Sequence, residues 1–335
     1  MATKNIKCLN FTFIFFLLTL VYAPGAVALS DSKKYRELTL NSNHAVVVDQ
    51  ATGKVLYAKN ADEQKPIASI TKLMTAIVTL DAKLPMDQKI RITEDDVDTL
   101  RNSRSRLKVG PSHSRRELLQ LALMSSENRA ASALARSYPG GRAAFIAAMN
   151  KKAKELGMAN TRFADSTGLD SDNVSTAHDL VKLVQAGFQY PLIRQITTTP
   201  SYDLKRGTVL KYKNTNPLFK DRNWQIGLSK TGYIKPAGHC LVMQTEVVEK
   251  PLIIVLLDAP GKGTVSADSN RIKRWFASLL NATSKVAVAA EPESETLAAS
   301  SAATIEQGGA VQTIALPDKV RVKFEPTRPL AIRSE

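Results

Sequence analysis

Residues 66–76 have the sequence PIASITKLMTA, and the rest of the chain is organised around them. Pro66 suits the entry of a helix, and the apolar residues among 73–80 predict that the helix continues. Ser69 and Lys72 lie three residues apart, so both side chains fall on one helix face and can reach each other. Burial or neighbouring cations can lower the pKa of a lysine until it deprotonates a serine. The pair is therefore a candidate nucleophile and base.

This Ser-x-x-Lys pattern is weak evidence alone, because residues 30–33 also match it in a segment expected to be solvated. Taken alone, Ser69 could equally be a helix cap beside an exposed Lys72. Two later elements, SEN at residues 126–128 and KTG at residues 230–232, make the pattern more specific. Together the three elements form the set found in penicillin-binding proteins and class A β-lactamases.

A second match to the middle element exists at residues 171–173, which have the sequence SDN. Those residues lie in a polar turn segment, where Ser, Asp and Asn are expected for backbone reasons. Ser126 instead ends an apolar helix that can hold it rigidly, so we assign the middle element to residues 126–128.

The order of predicted elements gives the fold class. Residues 44–59 predict a β-hairpin, residues 86–179 are helical and loop-rich, and strands return after residue 197 before a helix over 269–280. Strands at both ends with helices between them predict an α/β (α+β) fold with an inserted helical part. We therefore expect a sheet-and-helix part over 29–85 and 180–281, an inserted all-helical subdomain over 86–179, and a cleft between them.

The sequence resembles the low-molecular-mass penicillin-binding proteins, which are serine D-alanyl-D-alanine peptidases of the SxxK/SxN/KTG type. Residues 123–131 and 229–243 are similar to the D-alanyl-D-alanine endopeptidase branch, and the resemblance covers about residues 40–281. It implies a penicillin-binding-protein/β-lactamase-like fold, in which an antiparallel sheet is flanked by helices. It also implies peptidoglycan stem peptides as substrate, β-lactams as inhibitors, and no cofactor or metal.

The resemblance implies a role for each site residue. The catalytic group consists of Ser69 as nucleophile, Lys72 as general base, Ser126 in proton transfer, and Asn128 holding Lys72 or the substrate amide. The substrate-binding group consists of Lys230, Thr231 and Gly232, the first two binding a substrate carboxylate. The backbone N–H groups of Ser69 and Tyr233 would form the oxyanion hole.

Both ends of the chain predict segments outside the enzyme domain. Residues 1–28 predict a signal peptide, with two early lysines, an apolar stretch and a small-residue cleavage site after Ala28, so we expect the periplasm. Cys240 would then be the single cysteine of the mature chain, and its strand-like surroundings predict a buried structural thiol. Residues 282–335 are rich in Ala, Ser, Thr, Glu and Gly, which predicts a low-complexity, largely disordered tail.

The formal charge is +15, and +13 would remain after loss of Lys4 and Lys7 with the signal peptide. Such a charge fits nucleic acid, an anionic membrane surface or an anionic polymer as partner, or simply solubility. Export argues against nucleic acid, so peripheral contact with the wall or the membrane surface is the expectation.

Several other functions compete with the endopeptidase. A class A β-lactamase needs a glutamate on the loop before the third element, whereas residues 163–174 contain Asp165 and Asp170 but no Glu. The four histidines form no His-x-x-x-His pair, which argues against a zinc peptidase. A D-alanyl-D-alanine carboxypeptidase and a catalytically inert wall-binding protein stay open as alternatives.

Overall fold

The computed structural model describes residues 37–206 and 208–289. The predicted signal peptide over 1–28, its cleavage after Ala28, and the predicted tail from residue 290 onward lie outside the described residues.

Eleven strands and seven α-helices are described within those ranges. The strands are β1 (His44–Asp49), β2 (Val55–Lys59), β3 (Lys65–Pro66), β4 (Lys89–Arg91), β5 (Ser112–Ser114), β6 (Val174–Ser175), β7 (Ser201–Arg206), β8 (Thr208–Lys213), β9 (Gln225–Ile234), β10 (Gly238–Val247) and β11 (Lys250–Ala259). The helices are α1 (Lys72–Asp81), α2 (Arg115–Met124), α3 (Asn128–Arg136), α4 (Gly141–Glu155), α5 (Ala177–Phe188), α6 (Pro191–Thr198) and α7 (Thr264–Ala289).

The central sheet has five strands in the order β2-β1-β11-β10-β9, and every neighbouring pair is antiparallel. This confirms the predicted antiparallel sheet built from both ends of the chain. Both faces of the sheet are buried. In β11, Ile253 and Val255 belong to the core on one face, while Leu252 and Ile254 belong to the core on the other. Side chains alternate across a strand, so a fully apolar strand supplies both cores at once.

A helix layer covers each face of this sheet. Helix α5 packs against β1, β10 and β11 on the face that also meets α1 and the other helices. Helix α7 contributes Val265, Ile272 and Phe276 to the core on the opposite face. The sequence predicted this helix over 269–280, but it begins at Thr264 and continues to Ala289, inside the segment expected to be tail.

The segment 86–179 is not purely helical. Besides α2, α3 and α4 it contains the short pair β4–β5 and the strand β6, which pairs with β3. Strands of two or three residues are too short for apolar alternation to reveal them. Helix α5 begins at Ala177, so the expected boundary at residue 179 falls inside its first turn.

A polar cap fixes the start of α2, the helix that leads to Ser126. Ser114 accepts a hydrogen bond from the Glu117 backbone N–H at 3.1 Å, and Glu117 Oε2 accepts one from the Ser114 N–H at 2.8 Å. This Ser-x-x-Glu capping box starts α2, and Ser126 follows the far end of that helix. Among the described residues, no helix combines the length and apolar character needed to span a membrane.

Candidate active site

Ser69 lies in a 3-10 helix over Ala68–Thr71 that leads directly into α1. The entry to this turn is tied down by backbone pairing, since the Ile67 N–H donates to the Asn173 carbonyl at 3.0 Å. Ala68 adopts a left-handed conformation with φ of 47°, which turns the chain sharply before the serine. A non-glycine residue in this conformation is strained, and the surrounding contacts hold it there.

Lys72 is buried and its amine is surrounded by oxygen atoms. Lys72 Nζ lies 2.8 Å from Ser69 Oγ, 2.7 Å from Asn128 Oδ1 and 2.6 Å from the Thr167 carbonyl oxygen. Burial lowers the pKa of Lys72 to about 7, although the charges of Asp165 and Glu127 oppose that shift. An amine with this pKa is partly unprotonated at neutral pH and can accept a proton from Ser69.

A loop over residues 165–173 supplies the Thr167 carbonyl and braces Ser69. Asp165 organises it, because its carboxylate accepts hydrogen bonds from the backbone N–H groups of Thr167, Gly168 and Asp170. At Gly168 a Cβ would lie 1.9 Å from the Ala68 carbonyl oxygen, so only glycine permits this approach. Sequence reasoning considered Asp165 only as a possible water-activating group and missed this bracing role.

A second serine–lysine pair faces the first across the cleft. Lys230 Nζ donates to Ser126 Oγ at 3.0 Å and to the Thr231 carbonyl oxygen at 2.8 Å. Lys230 is 1% exposed, and its pKa is well below the ordinary value because of burial and of the nearby Lys72 charge. Ser126 has a φ of 60°, a left-handed conformation that directs the chain from α2 into α3.

Hydrogen bonds from residues outside the three motifs extend the site. Asn128 Nδ2 donates to Ser103 Oγ at 2.9 Å, and Thr231 Oγ1 donates to Thr215 Oγ1 at 2.6 Å. Neither Ser103 nor Thr215 lies in a recognisable motif, so sequence reasoning missed both. The pairing of their hydroxyls with motif residues appears only when distant loops meet in three dimensions.

Strand β9 is an edge strand of the central sheet, and its edge borders the cleft. At Gly232 a Cβ would lie 3.1 Å from the Ser69 backbone nitrogen and 3.1 Å from Ala68 Cβ, so this glycine lets β9 and the serine turn approach closely. The cleft has a volume of about 820 Å³ and is lined by Ser69, Ser126, Asn128 and the strand from Thr231 to Ile234. An unpaired edge beside a nucleophile can take an extended peptide as an additional strand.

The structure therefore brings all the predicted site residues to one cleft. The alternative middle element does not reach it. Asn173 is fully buried, and its side chain bonds the Ala164 and Asp165 N–H groups and the Asp165 carboxylate. Cys240 is also buried, and burial raises the pKa of its thiol to about 12, which agrees with the expected structural thiol.

The described residues contain no cluster of three or more His, Cys, Asp or Glu side chains arranged to hold a metal ion.

The amino-acid sequence of this chain is similar to those of known peptidases. The profile of peptidase family S11, described as D-alanyl-D-alanine carboxypeptidase, matches residues 31–261. A D-alanyl-D-alanine endopeptidase of Pseudomonas aeruginosa is 52% identical over 240 residues, covering 71% of this chain and 77% of that protein. A D-alanyl-D-alanine endopeptidase of Escherichia coli is 47% identical over 270 residues, covering 78% of this chain and 85% of that protein.

Solved structures agree on the fold. The DD-transpeptidase of Streptomyces K15 superposes with a TM-score of 0.66 at 30% identity, covering 71% of this chain and 97% of that chain. The predicted family, fold and enzyme class are confirmed. The paired serines and lysines at the edge of β9 are the candidate catalytic groups of this chain, which belongs to peptidase family S11 and is a serine-type D-alanyl-D-alanine peptidase.

Proposed function

We propose that this protein is a D,D-endopeptidase that hydrolyses D-alanyl–diaminopimelate cross-links of peptidoglycan through an acyl-enzyme on Ser69. The observation that carries the proposal is the 2.8 Å contact between Ser69 Oγ and Lys72 Nζ, together with the lowering of the Lys72 pKa to about 7. A serine beside an unprotonated amine is an activated nucleophile.

Each site residue has its own role in the proposed acylation and deacylation steps. Ser69 Oγ attacks the D-alanyl carbonyl carbon while its proton moves to Lys72 Nζ, and the backbone N–H groups of Ser69 and Tyr233 stabilise the oxyanion. Collapse breaks the C–N bond, and Ser126 passes a proton to the departing amine. The proton that Lys72 took from Ser69 then restores the Ser126 hydroxyl, which leaves the Lys72 amine unprotonated again. Water attacks the ester, Lys72 accepts a proton from it, and this proton passes to Ser69 Oγ as the acyl C–O bond breaks.

The other motif residues hold the substrate in place. Lys230 and Thr231 bind the carboxylate of the leaving group, and Thr215 orients the Thr231 hydroxyl through their 2.6 Å hydrogen bond. Asn128 contacts Lys72 at 2.7 Å and can hold that amine or the donor amide. Gly232 leaves room for the peptide along the edge of β9.

One observation favours the endopeptidase over a carboxypeptidase. The relatives at 52% and 47% identity are named endopeptidases, whereas a Bacillus subtilis protein named as a carboxypeptidase is 34% identical. Carboxypeptidase activity is the second candidate because the whole family is described by that name.

The same site is proposed to be acylated by β-lactams and to release them slowly. A class A β-lactamase needs a free carboxylate to activate the deacylating water. The Asp165 carboxylate is instead occupied by the loop it organises, including bonds from Gly168 N at 2.6 Å and Asn173 Nδ2 at 2.6 Å. This supports an inhibited enzyme rather than a β-lactamase.

We place the enzyme in the periplasm, after cleavage of a signal peptide behind Ala28. The formal charge of +13 that remains after loss of Lys4 and Lys7 supports peripheral contact with the anionic wall or membrane surface. Sedimentation with purified cell walls should then fall as the salt concentration rises. Salt-insensitive binding would contradict this electrostatic contact.

The deciding experiment is digestion of purified cross-linked muropeptides by the protein and by a Ser69→Ala control. Conversion of dimers to monomers, absent in the control, is expected. Loss of only the terminal D-alanine would instead establish the carboxypeptidase. No change with either protein would favour an inert wall-binding protein.

A further inference from the structure

The wall of the cleft carries positive charge that no carboxylate in the described part of the chain neutralises. Arg101, Lys235 and Lys262 line the cleft, and no Asp or Glu belongs to that lining in the described part of the chain. None of the three takes part in an ion pair among residues 37–206 and 208–289. A concave surface lined by one sign of charge concentrates ligands of the opposite sign.

The acid that lies closest along the chain to Lys262 is engaged elsewhere. Asp258 Oδ2 accepts a hydrogen bond from Asn43 Nδ2 at 3.0 Å and lies 3.9 Å from His44 Nδ1. Arg101 uses its Nε to donate to the Leu169 carbonyl oxygen, which fixes the side chain against the loop over 165–173. The positive charges are therefore available to a ligand.

An aromatic pair occupies the same part of the cleft. Tyr233 and His239 stack with ring centroids 4.3 Å apart and planes 23° apart, and Tyr233 is 58% exposed. Burial and the positive charge of Lys262 lower the pKa of His239, which favours the uncharged form of this ring. The Tyr233–His239 pair offers a flat surface of low charge beside Lys262.

The proposed function gives the direction in which substrate lies. The leaving-group carboxylate binds at Lys230 and Thr231, and the scissile carbonyl lies at Ser69. The acyl-donor peptide must then continue along β9 in the other direction, past Tyr233 towards Lys235. That donor peptide is anionic, because its γ-D-glutamyl and diaminopimelyl residues each carry a free carboxylate and only the diaminopimelyl residue also carries a free amine.

We propose that Lys235 and Lys262 form a carboxylate-binding subsite for the donor stem peptide, with the Tyr233–His239 stack supporting its aliphatic chain. This inference rests on the proposed function, and it deepens it by naming residues that select the donor strand. The ligand class is an extended peptide bearing a side-chain carboxylate beyond the D-alanyl residue. The γ-D-glutamyl and the diaminopimelyl carboxylates share this chemistry.

The test measures binding without turnover, on the Ser69→Ala protein. The probes are three synthetic stem pentapeptides ending in D-alanyl-D-alanine: one with both carboxylates free, one amidated on the glutamyl carboxylate and one amidated on the diaminopimelyl carboxylate. We expect one of the amidated peptides to bind roughly threefold to tenfold more weakly, which identifies the carboxylate that is bound.

Variants then assign that preference to the lysines. Adding Lys262→Met or Lys235→Met should weaken binding of the free peptide and leave the discriminating amidated peptide unchanged. Lys151→Met is the matched control, because it removes the same charge from an exposed position on α4 whose side chain is 80% accessible. It should change neither affinity.

Equal binding of all three peptides would overturn the subsite, as would a carboxylate preference that survives in both lysine variants. No detectable binding of any peptide would overturn it as well, because an added ion pair must contribute affinity. A preserved carboxylate preference in a protein that leaves muropeptides undigested would instead refute the proposed function and leave the subsite standing.

Discussion

Two serine–lysine pairs face each other across the cleft, and they differ in what surrounds each amine. Lys72 Nζ has three oxygen acceptors, including Ser69 Oγ at 2.8 Å, and two carboxylates lie near enough to influence its pKa. Lys230 Nζ contacts Ser126 Oγ at 3.0 Å, but the charge acting on it is the positive charge of Lys72. The same two residue types thus occupy opposite electrostatic settings.

The difference shows that contact between a serine and a lysine does not by itself identify the lysine that acts as general base. Both amines are buried and both have lowered pKa values, but the acids near Lys72 keep its pKa at about 7. The charges of Lys72 and Lys230 repel each other, so binding a proton on one amine disfavours binding a proton on the other. A substrate carboxylate arriving at Lys230 would favour the charged form there and leave Lys72 as the base.

The largest effect should come from removing each amine in turn. Lys72→Met should lower the rate of acylation by benzylpenicillin by roughly 10²- to 10⁴-fold, because the base is lost. Lys230→Met should lower it by roughly 10- to 100-fold, because it loses a charge-assisted hydrogen bond to the ligand. Stopped-flow acylation measures both rates.

Equal losses in the two variants would contradict the distinction between the pairs. Lys72→Arg is a useful companion, since guanidinium keeps the charge but does not deprotonate in proteins. It should be as impaired as Lys72→Met.

The second prediction concerns the loop over 165–173, which contacts the turn that carries Ser69. Gly168→Ala puts a Cβ 1.9 Å from the Ala68 carbonyl oxygen at a φ of +80°, so the backbone must move. We expect a loss of more than about 2 kcal/mol in the free energy of unfolding. Urea denaturation measures it, and acylation should fall with it.

Gly53→Ala is the matched control for Gly168→Ala. Its φ is +74°, but a Cβ there meets nothing within 4 Å. Conformational strain alone should cost about 1 kcal/mol. Similar losses in both variants would show that the close approach to Ala68 has no separate effect.

The third prediction concerns stability against pH. The folded pKa of Lys72 is about 7 and the ordinary value is 10.5, so between these values the unfolded chain binds more protons. The free energy of unfolding should therefore gain up to about 1.4 kcal/mol per pH unit from this residue as pH rises through that window. Lys72→Met should show a smaller slope in urea titrations, and identical slopes would contradict the buried amine.

The smallest effect is a shift in the pH dependence of acylation. The unprotonated Lys72 is the active form, so the second-order acylation rate should rise with pH and reach half its maximum near 7. Glu127→Gln removes a carboxylate that favours the protonated amine, so the midpoint should move to lower pH, by less than about one unit. A midpoint that moves upward would show that Glu127 does not act through its charge.

Much of the site was predictable because its chemistry depends on short local patterns. Ser69 and Lys72 share a helix face whatever the rest of the chain does, and Ser114 starts α2 through its own capping box. The strands at both ends of the chain followed from apolar and alternating segments, whereas their antiparallel arrangement was implied by the family resemblance. These signals depend on residues a few positions apart.

The parts that escaped prediction depend on distant residues meeting. The Thr167 carbonyl reaches Lys72 across 95 positions, and Thr215 reaches Thr231 through a loop with no motif. Backbone groups carry no side-chain signature, so no pattern could have pointed to Thr167. Helix α6 was missed because the eight residues from Pro191 to Thr198 give too short a periodic signal.

The left-handed backbone at Ser126 makes thermal stability and catalytic activity favour different residues at this position. Its φ of 60° disfavours any residue with a Cβ, whereas glycine adopts it freely. Ser126→Gly should therefore unfold at a higher temperature than Ser126→Ala, although both lack the hydroxyl proposed to transfer a proton. Laboratory evolution for thermostability, without a selection for catalysis, would push this position towards an inactive enzyme.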